Sequence, residues 1–227
     1  MEIARKLTEI NQKIYQAAGR AGRNPKEVKL LAVSKTIPAP VLQEAYQAGQ
    51  RDFAENRVQE WLNKAPALPE DCHWHIIGRL QTNKVKYLDQ RVSLIHSLDR
   101  LALLQQLEEQ GSRRGWIWPV LVQVNVARDT AKTGLLREEV ADFLIETINC
   151  PHVQVYGLMT IGSFEADSQE TRGFFQDLRK LRDDLAKDLP KGIILNELSM
   201  GMSQDFEIAV EEGATMVRVG REIFGER

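Results

Sequence analysis

The residue that first invites chemistry is Lys35, near the end of the apolar run VKLLAVSKT (28–36). An amine held at the end of an apolar strand loses its charge more readily than one in water. The neutral amine is the nucleophile that Schiff-base formation requires. A lysine stem lying along apolar surface with its head in solvent accounts for the same residue without any chemistry. Two later segments add a second signal. LSMGMSQDF (198–206) supplies Ser199, Gly201 and Ser203 ahead of a helix, with Ser203 expected as its N-cap, and RVG (218–220) runs into REIFG (221–225). Hydroxyls, glycines that admit close backbone approach and N–H groups at a helix start are the elements of a phosphate cradle. Read plainly, the same glycines serve only tight turns. Arg218 shares strand parity with Met216 and Gly220, so the three face one side. If that side is interior, the guanidinium needs an anionic or acceptor partner, either a ligand or an ion pair with Glu55 or Glu197.

Each of these residues follows an extended apolar segment, and the segments alternate with helical ones. Residues 2–21 carry Ile3, Leu7, Ile10, Ile14 and Ala17 at helical spacing. Strands are expected at 28–36, 51–56, 72–78, 92–99, 119–127, 153–160, 193–201 and 215–220. Helices or helical turns are expected from Pro40 to Gly49, over RVQEWLNKA (57–65), 80–88, from Leu101, 136–149, 169–188 and 203–212, with REIFGER (221–227) as a short close. Several strands, such as LLAV and VLVQVNV, are apolar on both faces, as parallel strands covered by helices are. An open doubly wound sheet shows the same alternation. Eight β/α units in about 200 residues without a linker favour closure. The expected fold is a single (β/α)8 TIM-type barrel with an extra N-terminal helix, residues 1–227 forming one domain.

Functional groups in such barrels gather at the C-terminal ends of the strands. Those ends are Ser34-Lys35-Thr36, Glu55-Asn56-Arg57, His75 with Gly78, His96-Ser97, Asn125, Met159-Thr160, Ser199-Met200-Gly201 and Arg218-Val219-Gly220. Phosphate sites are commonly built from the loops after strands seven and eight, where the two glycine-bearing segments fall.

The 227 residues, 43% hydrophobic and 27% charged, have ordinary globular composition. Thirty Lys+Arg against 32 Asp+Glu leave a net charge of -2, which gives no general footprint for nucleic acid or an anionic membrane. Lys84, Lys86, Arg113 and Arg114 read as solvated helix faces. Cys72 and Cys150 are too few for a disulfide framework or a four-thiolate zinc site. His73, His75, His96 and His152 form no metal-ligand pattern, and neither GxGxxG nor a P-loop is present. The charged N-terminus lacks a signal-peptide apolar region and no run approaches the ~20 residues of a membrane span, so a cytoplasmic protein is expected.

A strand-end lysine combined with phosphate loops suggests pyridoxal 5′-phosphate (PLP). LAVSKT (31–36), ENRVQE (55–60), HIIGRLQTNK (75–84), IHSLD (95–99), GLMTI (157–161) and the stretch from Leu198 to Gly225 closely resemble the pyridoxal phosphate homeostasis protein family over nearly the whole chain. Ala54 departs from the family's usual glycine before ENxxQE. The resemblance implies a barrel like the N-terminal domain of alanine racemase. It implies PLP bound as a Schiff base to Lys35, with Ser199, Met200, Gly201 and Gly220 at the phosphate. Arg218 is placed near the pyridine nitrogen or the phosphate, and Asn56, His75 and Met159 line the pocket. It further implies a carrier that buffers and delivers the cofactor, influencing vitamin B6 and amino-acid balance without established catalysis. Recipients would be apo PLP-dependent enzymes or a regulatory protein, and the carrier a monomer. A weak amino-acid racemase, a regulatory interaction protein and a class I aldolase acting on a sugar phosphate remain the alternatives. Racemization needs acid/base groups on both faces of the α-carbon. Tyr46 and Tyr156 are candidates for the second group by residue type only.

Overall fold

The computed structural model describes residues 2–162, 166–188, 190 and 193–225; Met1 and the closing Glu226 and Arg227 lie outside the described residues. Eight parallel strands close into a barrel in chain order. They are β1 (Lys29–Val33), β2 (Asp52–Glu55), β3 (His73–Ile76), β4 (Val92–Leu98), β5 (Trp118–Gln123), β6 (Val153–Met159), β7 (Glu197–Met202) and β8 (Met216–Val219). The connecting helices are α1 (Glu2–Arg20) before the barrel, α2 (Ala39–Gln47), α3 (Val58–Lys64), α4 (Leu101–Arg114), α5 (Val140–Thr147), α6 (Ser168–Asp188), α7 (Phe206–Glu211) and α8 (Arg221–Phe224). Between β3 and β4 the connection is a 3₁₀ segment, Thr82–Tyr87, in place of the expected helix. Among the described residues no helix is long and apolar enough to cross a membrane.

Three boundaries differ from expectation in ways that matter for function. β1 stops at Val33 because Ile37, forced extended by Pro38, donates its N–H back to the Ser34 carbonyl at 2.9 Å, turning the chain over Lys35. β5 stops at Gln123; Val124 still donates its N–H to the Met159 carbonyl at 2.8 Å and bridges to Leu135, and residues 125–134 form a loop. α7 begins at Phe206, not Ser203, because Asp205 Oδ1 accepts the Met202 N–H at 2.5 Å and closes a turn ahead of the helix.

Strand alternation divides the core in two. Leu30, Ala32, Leu198, Met200, Val217 and Val219 face outward into the layer covered by helices. Leu31, Val33, Ala54, Leu94, Leu121, Met159 and Met216 fill the barrel interior. Ser199 and Arg218 share the interior parity and form one end of a buried polar chain. Arg218 Nη1 donates to Ser199 Oγ at 2.7 Å and Nη2 to the Thr160 carbonyl at 2.8 Å. Ser199 Oγ lies 2.9 Å from His96 Nδ1, His96 Nε2 is 3.0 Å from His75 Nδ1, and His75 Nε2 is 3.2 Å from Asp52 Oδ1. Burial holds both imidazoles below their ordinary pKa, His96 well below it, which favours neutral rings. With both rings neutral, the Asp52 carboxylate, which only accepts, fixes the direction of the chain: His75 donates to Asp52, His96 to His75, and Ser199 to His96.

Two outcomes follow from this interior. His96 should show no imidazole protonation by NMR at the pH where a free histidine titrates. Since the unfolded chain takes up that proton and the folded one does not, stability should fall as pH drops below about 6.5. A His96 ring titrating at its ordinary pKa would contradict the assigned chain. At the β6–β7 contact, a Cβ on Gly157 would stand 1.9 Å from the Glu197 carbonyl oxygen, whereas one on the helical Gly173 meets nothing. Gly157→Ala should cost about 3 kcal/mol in urea unfolding, and Gly173→Ala should stabilise by up to ~1 kcal/mol.

Candidate functional site

A cavity of about 1190 Å³ opens at the C-terminal ends of the strands. Lys35 enters it from the turn after β1, Asn56 from the end of β2, and Arg218 from the interior face of β8. Asn56 is held by close backbone approach: a Cβ on Gly78 would lie 2.2 Å from the Asn56 carbonyl oxygen, so the loop after β3 needs glycine there.

The loops after β7 and β8 form one wall. Gly201 adopts φ +90, and a Cβ there would stand 2.5 Å from the Ala209 Cβ. Only glycine lets β7 end this close to α7. The loop then carries Ser203 and Asp205 to the cavity, while Gly220 and Arg221 reach it from the end of β8. Ser203 Oγ and Gly220 N stand 3.5 Å apart, so the two loops meet. Thus Ser203 faces the cavity instead of capping α7.

Among the described residues, five that line the cavity are cationic (Lys35, Arg79, Lys132, Arg218 and Arg221) against two carboxylates, Asp167 and Asp205. Such a surplus in a concave site draws an anion. Arg218 is the deepest of the five at 4% exposure, and burial lowers its pKa to about 10, which leaves it charged at neutral pH. Burial raises the Asp205 carboxyl, a shift that the Met202 N–H and the Arg218 charge only partly oppose. Arg218 does not pair with Glu55 or Glu197: Glu55 meets Ser34 and Lys64, and Glu197 accepts from the Thr215 hydroxyl at 2.5 Å.

Of the residues singled out in the sequence, Lys35, Asn56, Arg218 and Gly220 line the cavity together. Five do not. Ser199 lies beneath Arg218 and bonds to it, Met159 packs in the barrel interior, and Met200 faces the helices. Gly201 shapes the loop, and His75 borders a smaller pocket at the opposite end of the barrel with Lys29, His73 and Tyr156. Asn125 clasps its own loop, bonding to the backbone of Asp129. Sequence reading missed Arg79 and Lys132. Lys132 sits in the loop after β5, where no motif marks it, and its Nζ donates to the Gly162 carbonyl at 2.5 Å.

Comparison with known proteins accords with this geometry. The family model for the alanine racemase N-terminal domain matches residues 6–227. The chain is 44% identical over 228 residues to the pyridoxal phosphate homeostasis protein of Aquifex aeolicus, covering 100% of this chain and 99% of that one. It is 36% identical to the Escherichia coli protein of the same name, with 100% and 97% coverage. Among solved structures it is similar to PipY of Synechococcus elongatus with PLP bound, at 37% identity and a TM-score of 0.85, covering 98% of this chain and 100% of PipY. Alanine racemase of Corynebacterium glutamicum, at 16% identity, shares the fold with a TM-score of 0.72; the match covers all of this chain and 61% of the racemase. The chain belongs to the alanine racemase N-terminal domain family and, within it, to the pyridoxal phosphate homeostasis proteins.

Proposed function

We propose that the chain binds PLP reversibly in this cavity and acts as a cytoplasmic carrier that buffers and delivers it. The observation that carries the reading is that Lys35 shares one cation-rich cavity with the wall built by Ser203, Gly220 and Arg221. Relatives named for PLP homeostasis, and a PLP-bound structure of PipY, support it. Lys35 Nζ is the amine that would condense with the cofactor's aldehyde, releasing water. PLP supplies an electrophilic aldehyde and an electron-withdrawing ring. Ser203 and Gly220 face the phosphate in this reading. Gly201 and Met200 place their loop, and Arg218, oriented by Ser199, faces the ring or the phosphate.

The placement of the two candidate tyrosines favours holding over turnover. Two-sided proton transfer needs a second acid/base group opposite Lys35, and neither candidate tyrosine is there. The Tyr46 hydroxyl donates to Asp71 at 2.8 Å on the outside of the barrel, and Tyr156 borders the pocket at the other end. An arginine facing the pyridine nitrogen would offer it a proton donor without protonating it, which weakens the ring as an electron sink.

Protein incubated with PLP should acquire a visible absorption band that Lys35→Ala loses. The loaded protein should restore activity to an apo PLP-dependent enzyme while exchanging no α-hydrogen of free amino acids for deuterium above the rate of PLP alone. A protein that never colours would overturn the cofactor assignment. Deuterium entering one amino acid at catalytic rates would replace the carrier with a racemase-like enzyme.

A further inference from the structure

The turn that carries Lys35 is gripped on both sides by a cluster of charges outside the cavity. Glu55 is fully buried, and its Oε1 accepts from Ser34 Oγ at 2.6 Å and from Lys64 Nζ at 2.7 Å. Lys64, buried at the end of α3, also donates to the Ser34 carbonyl at 2.8 Å and to Glu60 Oε2 at 3.2 Å. Glu60 Oε2 in turn accepts the Thr36 N–H at 2.5 Å. The carbonyl before Lys35 and the N–H after it are thus both bonded to ionised side chains. Between them the chain makes an unfavourable turn, since Thr36 has φ 66, in the left-handed region that β-branched residues avoid.

Stability alone is a poor reason for this cluster. Replacing buried ion pairs with apolar side chains of similar volume is often neutral or stabilising. None of the three charged residues lines the cavity. What they share is the backbone on either side of Lys35. Glu60 and Lys64 come from the one helix that follows Asn56, so the same element sets the β1 turn and the β2 end of the cavity.

We propose that Glu55, Glu60 and Lys64 are positioning residues for Lys35. They hold the Ser34–Thr36 turn so that Lys35 Nζ is presented to the cavity from one fixed backbone position. The inference rests on Lys35 being the amine that anchors the cofactor. An anchoring amine held in place has a high effective concentration at its aldehyde partner. The cluster therefore sets how long the ligand stays.

Glu60 offers the cleanest test, because its side chain is only partly buried and Glu60→Gln keeps an oxygen able to accept the Thr36 N–H. In the cofactor-free protein, amide hydrogen exchange at Thr36 should speed up by about tenfold or more in Glu60→Ala, and remain near the native rate in Glu60→Gln. In protein loaded with PLP, release to excess hydroxylamine should quicken in Glu60→Ala by about the same order, with Glu60→Gln again close to native. Leu107→Ala, which opens the core under α4 away from the site, should lower thermal stability without changing either readout. Unaltered exchange at Thr36 in Glu60→Ala would overturn the inference, as would unaltered release. If native protein fails to capture PLP on Lys35, the carrier reading falls, while the exchange result still decides whether the cluster holds the turn.

Discussion

The structure is organised around a guanidinium that has no business in a barrel interior unless its protons are taken up. Arg218 faces inward from β8 because strand parity leaves it no other direction, and burial there would be prohibitive without acceptors. The acceptors are the Thr160 carbonyl and Ser199 Oγ. Meeting the first demand creates others. Ser199, already accepting from arginine, turns its own proton to His96, which passes the obligation through His75 to Asp52. Asp52 lies 3.5 Å from Lys29 at the N-terminal edge of the barrel. The buried cation and the Asp52 carboxylate thereby bracket one hydrogen-bonded chain across the lumen.

The two sides of the cavity use different devices toward the same end. On the β7–β8 side, glycines bring backbone close: Gly201 admits α7, and Gly220 meets Ser203. On the β1–β2 side, ionised side chains grip the backbone around Lys35. Among the described residues, the excess of cations over carboxylates around the cavity matches an anionic ligand. The barrel of alanine racemase, similar in fold, accounts for 61% of that enzyme's chain.

Much of this was readable in the sequence, because barrel closure follows from the alternation of elements and parity follows from a period of two. Parity put Arg218 on the same side as Met216, and the structure shows that side to be the interior. It also separates Met200, which faces the helices, from Ser199, a distinction that a motif match to Ser199-Met200-Gly201 does not make. Depth was harder. Barrel strands are tilted and staggered, so distance from a strand's end does not convert into height in the barrel. That is why His75 borders the far pocket and not the cavity. The charged cluster left only a faint trace, the i,i+4 spacing of Glu60 and Lys64. Its partner Ser34 arrives by strand pairing between β1 and β2, which no local pattern reveals. Lys132 lies in the loop expected between the fifth strand and the helix at 136–149, but nothing in its residue type or spacing marks it out from the polar residues around it.

The central claim is that one amine, Lys35, anchors the cofactor in the cationic cavity. Borohydride reduction of the PLP-loaded protein followed by peptide mapping tests it most directly. The account predicts a phosphopyridoxyl group on the peptide bearing Lys35, in near-stoichiometric yield. Label spread over surface lysines, or concentrated on another lysine with Lys35 unmodified, would contradict it.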